Sequence, residues 1–435
     1  MKKKTIEFLM LISLCCALFL ACSDDNNGPG TPGGGDDDEQ LGEIKDTVFT
    51  SFSNVLTRLV LTNAPEGEDV VWQWSMESAP SEIYSLTAAT SREAVFLAGL
   101  PGSYKLKVTA TKGEESQTGN ISVTVKKSTA EASPYIAKIY DFLPAVGQFT
   151  NDLPAYTEGD TREDIITKVE GYLVGKENGG MVSLGGFGGY IVFGFDHTVV
   201  NVKGKRDIRI LGNAFGSNAN PRPDAPFGGS CEPGIIVVSY DKNGNGLPDD
   251  EWYEIAGSAY QTAENEAWYP FFLEAGKDVR TIRNYEITYH RPVSEEVADE
   301  YIYWEDNQGN SGYKAKNMFH RQSYFPAWVN EDRLTFSGTR LPENGLDESG
   351  AGNYFVLYAF RYGYADNYPN TDDESAIDLA WAVDADGNPV ELPGIDFVKV
   401  YCGVNQENGW LGECSTEVAG AVDLHVKGIS IDTRK

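Results

Sequence analysis

Two strand-like runs joined by a short polar loop, in residues 232–257, constrain the fold of this chain more than any other feature. The first run, residues 235–240, reads IIVVSY and is β-branched and aromatic, as a mostly buried strand requires. The second run, residues 251–255, reads EWYEI and alternates polar with apolar side chains, as a half-exposed strand does. The stretch therefore predicts a hairpin that holds two antiparallel strands together.

The loop between the runs, DKNGNGLPD over residues 241–249, carries oxygen atoms at alternate positions and a glycine where the chain turns. Calcium takes about six to eight oxygen ligands from carboxylates, amides and backbone carbonyls. The loop therefore predicts a structural Ca²⁺ site, in which Leu247 gives its carbonyl and Asp250 is an alternative to the last ligand. The six predicted ligands are Asp241, Asn243, Asn245, Leu247, Asp249 and Glu251.

This loop differs from an EF-hand, because its twelfth position is Trp252 rather than a bidentate Glu and because strands rather than helices flank it. It resembles the nine-residue D-x-D-x-D-G-x-x-D loops that join β-hairpins in integrin-type propellers and other extracellular β domains. The alternative is a polar Asn-Gly turn without a metal, since Asn-Gly forms a tight hairpin by itself. Oxygen ligands at four set positions exceed what such a turn needs, which favours calcium.

The N-terminal sequence has the pattern of an exported, lipid-anchored protein. Three lysines precede an apolar run over residues 8–21 that is too short to span a bilayer, and Cys22 follows. The LAC at residues 20–22 resembles a bacterial lipobox, which predicts a signal peptide over residues 1–21 and lipidation of Cys22. The alternative is a signal peptide followed by a structural cysteine. Residues 22–45, rich in Gly, Pro and Asp, predict a flexible acidic stalk.

The formal net charge of −30 argues against nucleic acid and anionic lipid surfaces as partners, because like charges repel. It suits divalent cations and neutral or cationic ligands, and it leaves the lipid anchor as the only predicted contact with a membrane. Beyond Cys22, three cysteines remain: Cys231, Cys402 and Cys414. A Cys402–Cys414 bridge is compatible with an oxidising envelope and leaves one thiol over.

Two all-β domains follow the stalk. Residues 46–127 contain a W-x-W strand at 72–74 and the alternating strand YKLKVTA at 104–110, with turn signals between short strands. This pairing resembles a PKD or Ig-like β-sandwich, which is expected to act as a spacer. Residues 134–430 hold many antiparallel strand patterns and almost no helix periodicity, which predicts a larger jelly-roll-like β-sandwich, as one domain or two.

Few helices are predicted in this second domain. Short helical turns are expected at residues 137–142 and 162–174, with residues 162–166 as the best helix. From residue 181 onward the pattern favours strands.

Four segments of the second domain together resemble a family of Bacteroidota cell-surface proteins. They are LGGFGGYIVFGF, ILGNAF, the stretch 232–257 and DLAWAVDADGNPVELPGIDFVKVY. The resemblance spans about residues 134–426. It implies a lipoprotein that accompanies a TonB-dependent outer-membrane transporter, and some neighbours of such proteins capture vitamin B12.

The sequence contains none of the motifs H-E-x-x-H, G-x-S-x-G, Walker loop or C-x-x-C, and its four histidines are far apart. Acidic residues are numerous, but no spacing selects a pair for glycoside hydrolysis. We therefore predict a protein that is not an enzyme.

Aromatic residues are dense between Trp252 and Tyr368, next to Gly, Pro and polar residues. Such side chains in loops stack on sugar rings or flat macrocycles, whereas the alternative is that they form core. The predicted ligand-binding residues are Trp268, Tyr269, Tyr303, Trp304, Tyr324, Trp328, Tyr362 and Tyr364.

These features predict a lipid-anchored protein on the outer face of the outer membrane that captures a small-molecule nutrient, a corrinoid or a glycan, for a transporter. The first alternative is a structural or adhesive surface protein that binds another protein. A glycoside hydrolase is the second alternative.

Overall fold

The computed structural model describes residues 41–62, 64–217 and 224–433. The predicted signal peptide, Cys22 and the stalk as far as residue 40 lie outside the described residues. Strands dominate the described part, so the predicted all-β class is confirmed. None of its helices is long and apolar enough to cross a membrane.

The first domain is a sandwich of two sheets, with strand orders β1-β7-β6-β3 and β2-β5-β4. Its strands are β1 (Thr47–Phe52), β2 (Thr57–Leu59), β3 (Val71–Ser78), β4 (Tyr84–Thr87), β5 (Ala94–Ala98), β6 (Gly102–Lys112) and β7 (Glu115–Lys126). Trp72 and Trp74 share the buried face of β3, because alternate residues of a strand point to one side. They pack in one core with Phe96 and Tyr104, whose rings meet at 5.2 Å.

This domain begins earlier than residue 46. Leu41 and Ile44 belong to its buried core. The backbone N–H of Leu41 donates to the Glu115 carboxylate at 2.8 Å. Residues 41–45, predicted as part of the stalk, are therefore packed, because their two apolar side chains reach the sandwich.

The second domain contains twenty-one strands and three helices among the described residues. The strands are β8 (Lys138–Leu143), β9 (Val182–Ser183), β10 (Tyr190–Val200), β11 (Lys205–Arg206), β12 (Ile208–Leu211), β13 (Phe215–Gly216), β14 (Gly228–Ser230), β15 (Gly234–Ser239), β16 (Tyr253–Ile255), β17 (Ile282–His290), β18 (Ile302–Asp306), β19 (Ser311–Lys314), β20 (Arg333–Arg340), β21 (Gly345–Asp347), β22 (Phe355–Tyr358), β23 (Ala376–Ile377), β24 (Ala382–Val383), β25 (Gly394–Cys402), β26 (Glu417–Val418), β27 (Gly420–Asp423) and β28 (Ile431–Asp432). The helices are α1 (Arg162–Leu173), α2 (Tyr269–Glu274) and α3 (Leu424–Lys427).

The central sheet of this domain is antiparallel and has the order β24-β16-β15-β25-β10-β8. The predicted hairpin lies in it, since β15 pairs with β16 through Val237 opposite Glu254. A four-stranded sheet, β19-β18-β17-β20, packs against the central sheet, and the Tyr401 hydroxyl of β25 accepts the N–H of Thr339 on β20 at 2.8 Å. Phe187 packs edge to face on Tyr285 between the two sheets.

The predicted helix at 162–174 is confirmed as α1, whose start carries a capping box between Thr161 and Asp164. The prediction of a helical turn at 137–142 was wrong. Those residues form β8, because Ile139 and Phe142 are buried and the strand pairs with β10 at the edge of the central sheet.

The sequence left a Cys402–Cys414 bridge open, and the structure does not contain it: the three cysteines of the described part are buried and free. The Cys402 Sγ lies 3.5 Å from the Cys414 carbonyl oxygen and 3.7 Å from the Val404 carbonyl oxygen, so it donates to backbone rather than facing a sulfur.

Candidate functional site

The 241–249 loop folds around its first aspartate. Asp241 Oδ1 accepts the backbone N–H groups of Gly244 and Asn245 at 2.7 and 3.0 Å, and its Oδ2 accepts that of Gly246 at 2.8 Å. Asn243 and Asn245 converge on Asp249, to which their amide nitrogens donate at 3.0 and 2.9 Å. Four of the predicted calcium ligands are therefore together.

The remaining two predicted calcium ligands, Leu247 and Glu251, make other hydrogen bonds. Leu247 donates its N–H to Asn245 Oδ1 at 2.7 Å. The Glu251 carboxylate turns away to accept the Tyr253 hydroxyl at 2.8 Å, so it does not join the cluster. Asp250, the alternative ligand, closes the loop instead by accepting the N–H of Lys242 at 2.9 Å.

Two other hairpins of this domain share part of the sequence and hydrogen-bond pattern of the 241–249 loop. DNQGN at 306–310 and DADGN at 384–388 share the pattern D-x-x-G-N with DKNGN at 241–245. Asp306 Oδ1 accepts the N–H of Asn310 at 2.8 Å, and Asp384 Oδ1 accepts that of Asn388 at 2.8 Å. Asp241 and Asn245 thus belong to a recurring turn, whereas Asn243 and Asp249 are specific to this loop.

The residue types of the loop fit Ca²⁺, because two carboxylates and two amide oxygens are hard ligands on one small loop. The side-chain amide nitrogens of Asn243 and Asn245 donate to the Asp249 carboxylate. These donors occupy the position next to the carboxylate that a bound cation would take. The amide oxygens of Asn243 and Asn245 accept the N–H groups of Asn245 and Leu247 at 3.0 and 2.7 Å. The loop is thus satisfied by its own hydrogen bonds, and Ca²⁺ in it stays a prediction.

Four of the eight aromatic residues predicted to bind ligand are core instead: Trp268, Tyr324, Trp328 and Tyr364. The Trp268 ring packs on Phe272 and Phe360, and its Nε1 donates to the Ala359 carbonyl oxygen at 2.9 Å. Burial of their large apolar area explains this outcome, since aromatic side chains contribute most to a core when fully enclosed.

The other four predicted aromatic residues are half-buried and do not converge. Tyr303 and Trp304 are adjacent on β18 and so point to opposite faces of the sheet. The Tyr303 ring is tilted against that of Tyr313 at 5.4 Å, and the Tyr362 ring is tilted against that of Trp381 at 4.8 Å. The fourth, Tyr269, opens the short helix α2.

A cleft of about 440 Å³ elsewhere in the second domain combines aromatic and acidic groups. Its rim carries Phe319 and Trp410, which are 67% and 48% exposed and meet edge to face at 6.4 Å. Two exposed rings that touch each other form a small apolar patch, which is a candidate contact surface. Gly409 and Gly412 flank the Trp410 turn with φ of 56° and 89°, which places the indole at the tip of a left-handed bend.

Three carboxylates from separate segments, here called the floor carboxylates, meet at the floor of this cleft, and two of them line the cavity. Glu232 precedes β15, Asp366 lies in the loop after β22, and Glu417 starts β26. Their carboxylate oxygens lie within 4.8 Å of one another. Glu232 is half-buried and Glu417 is buried, and both line the cavity, whereas Asp366 is buried beside them and does not line it.

Backbone N–H groups hold these carboxylates in place. Asp366 Oδ1 accepts from Asn213 and Ala214 at 2.7 and 2.8 Å, and its Oδ2 accepts from Glu417 at 3.0 Å. Asp366 itself has a φ of 51°, in the left-handed region that Asp and Asn adopt more often than other residues with a side chain.

No lysine or arginine among the described residues forms an ion pair with the three floor carboxylates or with Glu413 beside them. Burial, and then repulsion between neighbours, raises the pKa of the Glu232 and Glu417 carboxyls. Burial likewise raises the pKa of Asp366, and it raises that of Glu413 to about 7. The floor of the cleft therefore disfavours free negative charge and attracts protons or a cation.

Sequence reasoning missed this cleft, because its parts are far apart in the chain. The signal that was present is Trp410 in the polar run NQENGWLGE, where an isolated tryptophan between glycines has no strand to belong to.

No protein-family model matches the sequence, and no curated protein is similar to it. The PKD domain of human KIAA0319 is 19% identical, with a TM-score of 0.18, over 24% of this chain and 96% of that domain. The PKD domain of the KIAA 1837 protein is 16% identical, with a TM-score of 0.18, over 24% and 96%.

A SusE-like, surface-located polysaccharide-binding protein from the heparin utilisation locus of Bacteroides thetaiotaomicron is also similar. It is 16% identical, with a TM-score of 0.17, over 24% of this chain and 16% of that chain. The function of the present protein is therefore inferred from the geometry of its own cleft.

Proposed function

We propose that this protein is a non-catalytic cell-surface protein that captures a nutrient in the cleft bounded by Trp410, Phe319 and the floor carboxylates, and that the nutrient is a glycan. The observation that carries this proposal is an exposed aromatic rim above a floor of hydrogen-bond acceptors. The cleft volume of about 440 Å³ lies in the usual range of small-molecule sites, roughly 300–1,000 Å³.

A sugar matches both halves of the cleft. The apolar C–H face of a pyranose packs on an aromatic ring such as Trp410, and its hydroxyls donate hydrogen bonds to carboxylate oxygens. Asn317 lines the wall and holds the two rim residues, since its Nδ2 donates to the Trp410 carbonyl oxygen at 2.7 Å and its Oδ1 accepts the N–H of Phe319 at 2.8 Å. A corrinoid is the second ligand class, and its macrocycle would have to enter edge on to use the same rim.

The N-terminal sequence supports export and anchoring. Cleavage before Cys22 and its diacylation would tether the protein to the outer membrane, with residues 22–40 as the stalk. A TonB-dependent transporter is the proposed recipient of the ligand, by the resemblance of the second domain. Calcium in the 241–249 loop has a structural role in this proposal, since the loop ligands are used up by the ion and the turn.

Calorimetry on the mature protein tests the function. Neutral and amino-sugar oligosaccharides and cobalamin are titrated into wild type, Trp410→Ala and Tyr313→Ala, the last being an equally exposed aromatic residue outside the cleft. We expect heat with at least one glycan, a loss of about tenfold or more in affinity for Trp410→Ala, and no change for Tyr313→Ala. Absence of heat with every ligand, or equal binding by Trp410→Ala, would overturn the proposal.

Two further measurements address the alternatives. Release of shortened products from the bound glycans would identify a hydrolase. Recovery of one protein partner from envelope extracts, by wild type and Trp410→Ala alike, would favour an adhesive protein.

A separate variant tests the lipid anchor. Cys22→Ala should leave the protein unattached, and continued attachment to intact cells would contradict lipidation.

A further inference from the structure

A second cavity, here called the Lys314 cavity, has a volume of about 380 Å³ and shares no lining residue with the cleft. It is lined by the four-stranded sheet β19-β18-β17-β20 and by the loop that follows β25. Trp304 on β18 pairs with Gly312 on β19, and Lys314 is two residues further along β19. Paired and alternate residues of a sheet share one face, so the indole, the glycine and the lysine lie side by side. A Cβ atom at Gly312 would lie 3.2 Å from the Trp304 ring, so the glycine leaves space beside the indole.

The ammonium group of Lys314 is buried without a hydrogen-bond partner. The residue is 6% exposed and lines the cavity, and its Nζ donates no hydrogen bond to any of the described residues. The nearest carboxylate oxygen among them, Glu407 Oε1, is 3.9 Å away, which is beyond hydrogen-bond distance. An ammonium group carries three donors, and burying a charge whose donors are unused is costly. Lys314 therefore points to an acceptor that the described part of the chain does not supply.

Two other residues of the same lining also have unused donors. Arg340 is 8% exposed and donates from Nη2 to Asp278 at 2.6 Å, whereas its Nη1 donates to none of the described residues. Its guanidinium lies 5.2 Å from the centre of the Tyr285 ring, which holds it at the wall. The indole Nε1 of Trp304 has no acceptor within the described part of the chain either.

The acidic residues of the lining, by contrast, already have partners. Asp278 accepts two hydrogen bonds from Arg280 at 2.8 Å as well as the one from Arg340. Asp306 accepts four hydrogen bonds from neutral groups, among them the Tyr285 hydroxyl at 2.9 Å.

Only one lining carboxylate keeps free acceptor positions. Glu343 pairs with Lys277 at 3.3 Å, which leaves Glu407. The Lys314 cavity thus offers a ligand several donors and one acceptor.

We propose that the Lys314 cavity binds an acidic sugar, whose carboxylate pairs with the Lys314 ammonium. A carboxylate supplies both the charge and the acceptors that this group lacks, and hydrogen bonds between ions are the strongest. Hydroxyl oxygens of the sugar accept from Arg340 Nη1 and Trp304 Nε1, and one hydroxyl donates to Glu407. The volume of about 380 Å³ lies in the usual range of small-molecule sites, roughly 300–1,000 Å³. This site is separate from the cleft and does not depend on the proposed function.

Calorimetry on the mature protein tests the site with sodium glucuronate, sodium galacturonate and trigalacturonate. The methyl ester of galacturonate is the matched neutral probe. We expect heat with at least one acidic sugar and at least tenfold weaker binding of the ester, because the ester has no charge for Lys314.

Lys314→Met should weaken binding of the acidic sugar at least tenfold, because it removes the ammonium group and keeps most of the side-chain length. Lys277→Met is the control, since Lys277 pairs with Glu343 and does not line the cavity. It should bind as wild type does.

Arg340→Met is the second variant, in case Lys314→Met fails to fold. It leaves Asp278 paired with Arg280, so no carboxylate loses its last partner. Melting curves without ligand show which variants fold, and binding to Arg340→Met should be about tenfold weaker. The inference is overturned by the absence of heat with all three acidic sugars, by equal binding of the methyl ester, or by unchanged binding in either folded variant. An equal loss in Lys277→Met would also overturn it.

The rim variant separates this site from the cleft. Trp410→Ala should bind the acidic sugar as wild type does, because Trp410 does not line the Lys314 cavity. Loss of that binding in Trp410→Ala would place the acidic sugar in the cleft and overturn the inference. Heat from an acidic sugar that depends on Lys314, without heat from any neutral glycan, would support this site and remove the proposed function.

Discussion

The imidazole Nε2 of His197 lies 2.7 Å from the Asp423 Oδ2, and both side chains are almost fully buried where β10 meets the start of α3. The Nδ1 of the same ring lies 2.7 Å from Asp196 Oδ1. Burial lowers the pKa of His197, but the hydrogen bonds and charges of Asp423 and Asp196 outweigh it, and the pKa is raised. Asp396 is a further carboxyl whose charge interacts with this ring.

This contact predicts a loss of stability as the pH rises. A raised pKa in the folded state means that the protonated ring stabilises the fold fully below the unfolded-state pKa of about 6.5. That stabilisation disappears as the pH rises through the higher folded-state pKa. We expect the melting temperature of wild type to fall over this window. His197→Gln should cost on the order of 3 kcal/mol near pH 6, and its melting temperature should fall less steeply than that of wild type.

His290→Gln is the matched control for this experiment, because His290 pairs with the exposed carboxylate of Glu305. Exposed pairs contribute little, roughly 0–1 kcal/mol. A pH profile of His197→Gln that runs parallel to wild type would contradict the assignment.

Chelation tests the 241–249 loop. Calcium at about a hundredfold over its Kd stabilises the folded state by roughly 2.7 kcal/mol, or a few degrees in Tm. We expect chelator to lower the Tm of wild type more than that of Asp241→Ala. Asp306→Ala loses the same kind of turn and should respond to chelator as wild type does. Equal responses of wild type and Asp241→Ala would show a metal-free turn.

Trp268 and Trp410 should respond to substitution in opposite ways. Trp268 is fully buried, so Trp268→Ala should cost about 3–5 kcal/mol of stability. Trp410 is 48% exposed, so Trp410→Ala should change stability by only about 0.5 kcal/mol while it weakens ligand binding. Urea unfolding and calorimetry on both variants measure this. A Trp410→Ala protein as unstable as Trp268→Ala would contradict the placement of Trp410 on the rim.

Ile44 tests where the first domain begins. Its side chain is 4% exposed and lies against Gly119, so Ile44→Ala should cost about 2–5 kcal/mol. Lys45→Ala, next to it and exposed, should have almost no effect. Equal stabilities of the two variants would mean that residues 41–45 belong to the stalk and not to the first domain.

Local signals in the sequence were enough to predict several secondary-structure elements. The hairpin of β15 and β16 follows from a β-branched run, a turn and an alternating run that are adjacent in the chain. Helix α1 was predicted from the local sequence at residues 162–166, and the capping box that starts it is local as well. The β8 strand could not be predicted in this way, because its conformation depends on pairing with β10, some fifty residues away.

The candidate site was beyond sequence reasoning for a related reason. Glu232, Asp366 and Glu417 become neighbours only when the loops before β15, after β22 and at β26 meet, and the chain contains many other acidic residues. Aromatic density selected Trp268 and Tyr364 because composition does not distinguish a ring that closes a core from one that faces solvent.

The parallel pairing of β1 with β7 has a mechanical consequence. The register runs from Thr47 opposite Ile121 to Phe52 opposite Lys126, so the chain enters the first domain at one end of this strand pair and leaves toward the second domain at the other. A pull on the two ends slides the strands past each other, and the hydrogen bonds of the pair carry the force together rather than opening one by one. Because its terminal strands are loaded in shear, a domain connected in this way resists unfolding by flow or by traction on the chain.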